Sequence, residues 1–92
     1  MIKSFNHKGL EKFFNEGSKK GIIPDHAAKL VRILDRLDAS ICPQDMNLPA
    51  YKLHELKGDM QGVWSVWVNG NWRVTLRFDG NDAIQVDYQD YH

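Results

Sequence analysis

The chain has 92 residues, with 12 Lys and Arg against 12 Asp and Glu, so its formal charge is zero. That length allows one small domain with a thin core, and that balance excludes a frankly basic nucleic-acid scaffold. A hydrophobic content of 42% and an aromatic content of 11% exclude a chain too polar to collapse. The single cysteine, Cys42, and the lack of any Cys/His spacing typical of structural zinc point to a reducing compartment. No signal-like apolar run opens the chain, and no stretch approaches the roughly 20 apolar residues of a membrane span. A cytoplasmic protein with no membrane association is expected.

The first helix is predicted to begin after Asn6 and to end near Gly17 or Gly21, with Leu10, Phe13 and Phe14 on one face. A second starts at Pro24-Asp25 and carries Ala27, Leu30, Val31, Leu34 and Leu37 as an apolar stripe, with Lys29, Arg32 and Arg36 on the other side. Residues 39–50 hold two prolines and no sustained period, and read as a loop. From Tyr51 the period becomes two. Tyr51–Leu56 reads as a short strand, Lys57-Gly58-Asp59 as a turn, and Val63–Val68 as a strand with Trp64, Val66 and Val68 on one face. Asn69-Gly70 is a tight-hairpin signal. Trp72–Phe78 alternates Trp72, Val74, Leu76 and Phe78 against Arg73, Thr75 and Arg77. After a turn at 79–82, Ile84, Val86 and Tyr88 share a face opposite Gln85 and Asp87.

With Ile2–Phe5 as an edge strand, the expected architecture is α+β, in the order β-α-α-β-β-β-β. Two helices cover one face of a small, mostly antiparallel sheet, and the other face stays open and polar. Charge divides along the same line. Residues 1–36 hold eight Lys/Arg and four Asp/Glu, and residues 37–92 hold four and eight. On the helical half, Lys19, Lys20, Lys29, Arg32 and Arg36 form either a solvated face or a docking surface.

The open face is where chemistry is expected. Arg73, Thr75 and Arg77 need no core there, and strand ends supply His54, Lys57 and the terminal Asp90-Tyr91-His92. Arginine and lysine suit a phosphate, and histidine exchanges a proton near neutral pH. That inventory fits metal-free RNA cleavage, in which a base frees a ribose 2′-hydroxyl to attack phosphorus, cations stabilise the added charge and an acid protonates the departing 5′-oxygen. The products are a 2′,3′-cyclic phosphate and a 5′-hydroxyl. Trp64, Trp67 and Trp72 all read as core before base-stacking platforms, with Trp67, on the opposite face from Trp64, the best exposed candidate for stacking. Two competing readings use the same residues. One is a non-catalytic RNA- or protein-binding module; the other is a metal-dependent hydrolase with His54, His92 and Asp90 as ligands.

The runs Met1–Phe5 and His7–Leu10, the segment Tyr51–Asp59, Gly62–Ser65, Asn71–Val74 and the terminal Asp87–His92 resemble, in order and spacing along the whole chain, the HigB toxins of the RelE superfamily. The resemblance implies an endoribonuclease that enters the ribosomal A site and cuts the mRNA codon there, with no metal or other cofactor. It implies a helix-turn-helix antitoxin of the HigA type, with DNA engaged only through the antitoxin complex. By position, Lys57 and Arg73 would hold the scissile phosphate. Asp90 and His54 would position and deprotonate the 2′-hydroxyl, His92 would act as acid or phosphate contact, and Tyr91 would orient the nucleotide. Toxins of this superfamily are commonly more basic than this chain, so the ribosome is expected to supply the positioning that bulk charge does not.

Overall fold

The computed structural model describes residues 1–91. Helix α1 spans Lys8–Glu16. The His7 side chain caps it by accepting from the Leu10 N–H at 3.0 Å, and Gly17 stops it by taking a left-handed φ of 76°. Leu10 and Phe13 are buried, and Phe14 packs partly against them. Behind α1 the chain passes very close to its first turn: a Cβ on Gly9 would lie 2.7 Å from the Gly21 backbone. Both positions therefore need glycine for close approach, not for backbone freedom.

The predicted second helix is divided. Pro24–His26 forms a single 3-10 turn, and α2 runs over Ala27–Ala39. Its buried stripe is Ala27, Leu30, Ile33, Leu34 and Leu37. Val31, expected in that stripe, is 45% exposed. Successive residues turn about 100° around a helix, so Val31 falls outside the arc centred on Leu30 and Leu37 that Ile33 completes. The following loop contains two 3-10 turns, Pro43–Met46 and Pro49–Tyr51, which drive Met46 and Tyr51 into the core.

Four antiparallel strands follow in sequence order: β1 (His54–Glu55), β2 (Trp64–Asn69), β3 (Trp72–Asp79) and β4 (Asp82–Asp90). The expected strand over Tyr51–Leu56 shrinks to two residues. Tyr51 belongs to a 3-10 turn and Lys52 takes a left-handed φ of 48°, which interrupts regular strand geometry. The β2–β3 hairpin turns at Gly70, whose φ is 57°. At the far edge, Ile2 and Phe5 form two isolated parallel bridges to Ala83 and Val86, in place of a continuous strand. The ladder is broken there because β4 bulges: Gln85 has a φ of 53°, and its N–H is taken by the Ser4 hydroxyl at 2.8 Å. The same bulge shifts the β3–β4 register between Thr75 and Arg77. The core face of β4 is consequently Ala83, Val86 and Tyr88, and Ile84, expected to share that face, is displaced from it.

Val66, Val68, Val74, Leu76, Val86 and Tyr88 form the sheet side of the core, facing the helices. Among them the Tyr88 hydroxyl shares a 2.6 Å hydrogen bond with Nδ1 of the buried His26, and burial pushes the Tyr88 pKa up. Among the described residues no helix is long and apolar enough to cross a membrane.

The Gly9–Gly21 contact reverses an ordinary expectation. Helix propensity alone makes Gly9→Ala stabilising by about 1 kcal/mol. With no room for the methyl, Gly9→Ala should instead cost about 1–3 kcal/mol, read as a lower urea midpoint, and an unchanged or higher midpoint would contradict the contact.

Candidate functional site on the open face of the sheet

Strand pairing sets the site in rows. His54 stands opposite Ser65, Ser65 opposite Thr75, and Thr75 opposite Asp87. One step along, Trp67 stands opposite Arg73 and Arg73 opposite Gln89. All share the face turned away from the helices, since paired residues share a side and alternate residues lie opposite the core valines. The centre of this face is not open, as the sequence suggested: Ser65 and Thr75 are 0% and 4% exposed. Among the described residues the Ser65 Oγ is buried without a hydrogen-bond partner. Beside this row, Thr75, Arg77, Gln85, Asp87 and Gln89 line a pocket of about 200 Å³. The Arg77 guanidinium lies against Gly62, where a Cβ would come within 2.8 Å of it.

The Trp67–Arg73 row is tied to the hairpin. The Trp67 indole Nε1 donates to the Gly70 carbonyl at 2.9 Å, and the Arg73 guanidinium donates to the same oxygen at 3.2 Å and to the Trp72 carbonyl at 3.1 Å. Tyr91 joins at this end, its N–H donating to the Asn71 carbonyl at 2.7 Å. His54 is exposed, with Nδ1 3.2 Å from the Lys52 carbonyl. A carbonyl only accepts, so Nδ1 carries the proton and Nε2 is left as the basic nitrogen of the neutral ring.

His54 and Arg73 thus share one face in neighbouring rows, and the Tyr91 backbone is tied to the hairpin at the Arg73 end. Lys57 is not gathered with them. It follows β1 at the other end of the sheet, since Leu56 pairs with the Val63 carbonyl, and it lines a separate concavity of about 360 Å³ with Glu55, Gly58 and Gln61. Asp90 stands opposite Trp72, one step out of phase with Arg73 and Gln89. Strand alternation therefore starts its side chain on the other side of the sheet. His92 lies outside the described residues. Among the described residues no group of three His, Cys, Asp or Glu is placed to hold a metal ion.

The proposed docking cations also divide. Lys19, Lys20 and Arg32 are exposed. Arg36 is engaged within the chain, its Nε donating to the Asp45 carbonyl at 2.7 Å. Lys29 turns to the sheet and places its ammonium 4.1 Å from the centre of the Trp67 ring, where Lys52 places another at 4.4 Å. Burial, then repulsion from Arg32 and Lys52, hold the Lys29 pKa below the usual lysine value. Lys52 was the residue that sequence reasoning missed. Assigning Tyr51–Leu56 to a strand concealed the left-handed residue that turns its ammonium toward Trp67.

The architecture, two helices over a four-stranded antiparallel sheet, is that of the RelE-like class. A family model for the RelE-like toxin HigB of type II toxin–antitoxin systems matches residues 3–92. The chain is 41% identical over 92 residues to the endoribonuclease HigB of Proteus vulgaris, with both chains covered completely. It is 29% identical over 94 residues to toxin HigB-1 of Vibrio cholerae serotype O1, covering all of this chain and 98% of that one. The chain belongs to the HigB-like toxin family.

The tether on Trp67 is separable from its ring. Trp67→Phe keeps an aromatic face but removes the donor to Gly70, so it should lower stability by about 0.5–1.5 kcal/mol, measured by urea denaturation. No loss would show that the indole N–H does not hold the hairpin.

Proposed function

We propose that this chain is the toxin of a type II pair and acts as a ribosome-dependent endoribonuclease, cutting mRNA in the A site and halting translation and growth. The observation that carries this reading is that His54 and Arg73 share one face in adjacent rows, with the Tyr91 backbone tied to the same hairpin as Arg73, in a chain of the HigB-like family. The similarity to an endoribonuclease over the full length supports it.

In this mechanism Arg73 receives the scissile phosphate. Its planar fork matches two phosphate oxygens, and the Gly70 and Trp72 carbonyls hold it in place before substrate arrives. His54, with Nδ1 donating to Lys52, uses Nε2 to take the proton of the ribose 2′-hydroxyl. The freed oxygen bonds to phosphorus, the bond to the 5′-oxygen breaks, and His92 supplies the proton that this oxygen requires. Tyr91 orients the nucleotide by stacking or hydrogen bonding. Asp90, which leaves the strand on the side opposite Arg73, favours the charged form of His92, and Lys57 contacts the RNA strand beyond the reacting phosphate. No metal enters the reaction. The exposed cations Lys19, Lys20 and Arg32 meet ribosomal RNA. A helix-turn-helix antitoxin of the HigA type restrains the toxin, and DNA is engaged only through their complex.

Purified protein added to mRNA with and without ribosomes tests this directly. Cutting should require ribosomes and leave a 2′,3′-cyclic phosphate. Arg73→Ala and deletion of His92 should each slow the cut by about 100-fold or more, with the circular dichroism spectrum retained. Unchanged rates in both variants would contradict the site, and no cutting in either condition would favour a binding module.

A further inference from the structure

We propose that Lys29, Lys52 and Trp67 form a second phosphate subsite, beside Arg73, that takes a non-scissile backbone phosphate of the mRNA flanking the cut. This inference rests on the RNA-cleavage reading above.

The two lysines come from distant parts of the chain, α2 and the loop before β1, yet their ammonium groups lie 4.1 Å and 4.4 Å from the centre of one indole ring. They meet there because β1 pairs only with Trp64 and Ser65. Beyond Ser65 the β2 edge has no strand on that side, and Lys29 reaches around it. Among the described residues neither ammonium forms an ion pair with a carboxylate. Two like charges held at one ring repel each other, and the Trp67 π system offsets that repulsion only in part. An anion that both ammonium groups can reach at the edge of the ring is the missing complement.

Position identifies the anion. Trp67 and Arg73 are cross-strand partners and both donate to the Gly70 carbonyl, so the lysine pair continues the Arg73 site along the same hairpin. A polymer with its reacting phosphate on Arg73 carries its next phosphates outward along this edge. Lys52 also couples the subsite to the base, since its carbonyl accepts from His54 while its side chain covers Trp67. Its left-handed backbone, at a φ of 48°, is the strained geometry that lets one residue do both. Ammonium groups engage the Trp67 ring, so the contact is to phosphate and not a base stacked on indole. Lys29 accordingly belongs to the substrate strand, and not to a ribosomal docking face with Lys19 and Lys20.

The double variant Lys29→Gln with Lys52→Asn removes both charges. Asparagine tolerates the left-handed backbone and glutamine the helix, so the fold should hold, as checked by circular dichroism. Single-turnover cleavage is measured on ribosomes carrying mRNA in which each linkage flanking the cut is replaced, one at a time, by an uncharged methylphosphonate. The double variant should cut all-phosphate mRNA about 10-fold more slowly or worse, and Lys29→Gln with Lys52→Arg, which restores one charge, should recover part of that loss. One methylphosphonate position should slow the wild type by a similar factor while slowing the double variant no further. Equal sensitivity of wild type and variant at every position, which is the pattern of a ribosomal RNA contact, would overturn the subsite, as would an unchanged rate. Failure of the wild type to cut all-phosphate mRNA would overturn the endoribonuclease reading, and this inference with it.

Discussion

Burial of one side of the sheet is the constraint on which the rest of this molecule depends. Val66, Val68, Val74, Leu76, Val86 and Tyr88 meet the helices, and a strand period of two leaves their neighbours no choice of side. Trp67, Arg73 and Gln89 therefore form an outward row, and Ser65 and Thr75 a second one beside it. A cation presented by a paired central strand is better placed than one on a loop, because its backbone is held by ladder hydrogen bonds on both sides. The Gly70 carbonyl adds the last restraint by accepting from both Trp67 and Arg73.

Overall neutrality and local charge answer to different distances. At physiological salt, charges farther apart than about 8 Å are largely screened, so an anion brought to the hairpin would sense Arg73, Lys29 and Lys52 rather than the balance of the whole chain. Non-specific binding, in contrast, sums over many phosphates, and a chain with 12 acidic residues against 12 basic ones gains little from it. A neutral toxin with a small, concentrated cationic edge is consistent with chemistry performed on a strand that another particle presents.

Local chemistry made much of this legible from the residues. The start of α1 after Asn6 and its stop at Gly17, a tight β2–β3 hairpin and the alternation of Trp72–Phe78 all follow from neighbours in sequence and appear in the fold, although the hairpin's central pair is Gly70-Asn71, one step beyond the expected Asn69-Gly70. What escaped depends on contacts between distant segments. The bulge at Gln85 is stabilised by Ser4 from the other end of the chain, and it transfers Ile84 from its expected face. The loop before β1 is shaped by burial of Met46 and Tyr51, so Lys52 could not be read as a turned residue. At the site, residue type and strand alternation put His54 and Arg73 on one face, as the register does. The separation of Lys57 from them, and the phase of Asp90, follow from register, which residue type does not encode.

The most direct measurement is the structure of this toxin on a ribosome whose A-site codon carries 2′-O-methyl groups, which block attack and trap the uncut strand. The scissile phosphate should lie within hydrogen-bond distance of the Arg73 guanidinium, with His54 Nε2 facing the methylated oxygen. A phosphate seated instead at the Lys57 and Arg77 end of the sheet, with Arg73 still turned to Gly70 and empty of RNA, would contradict the assignment.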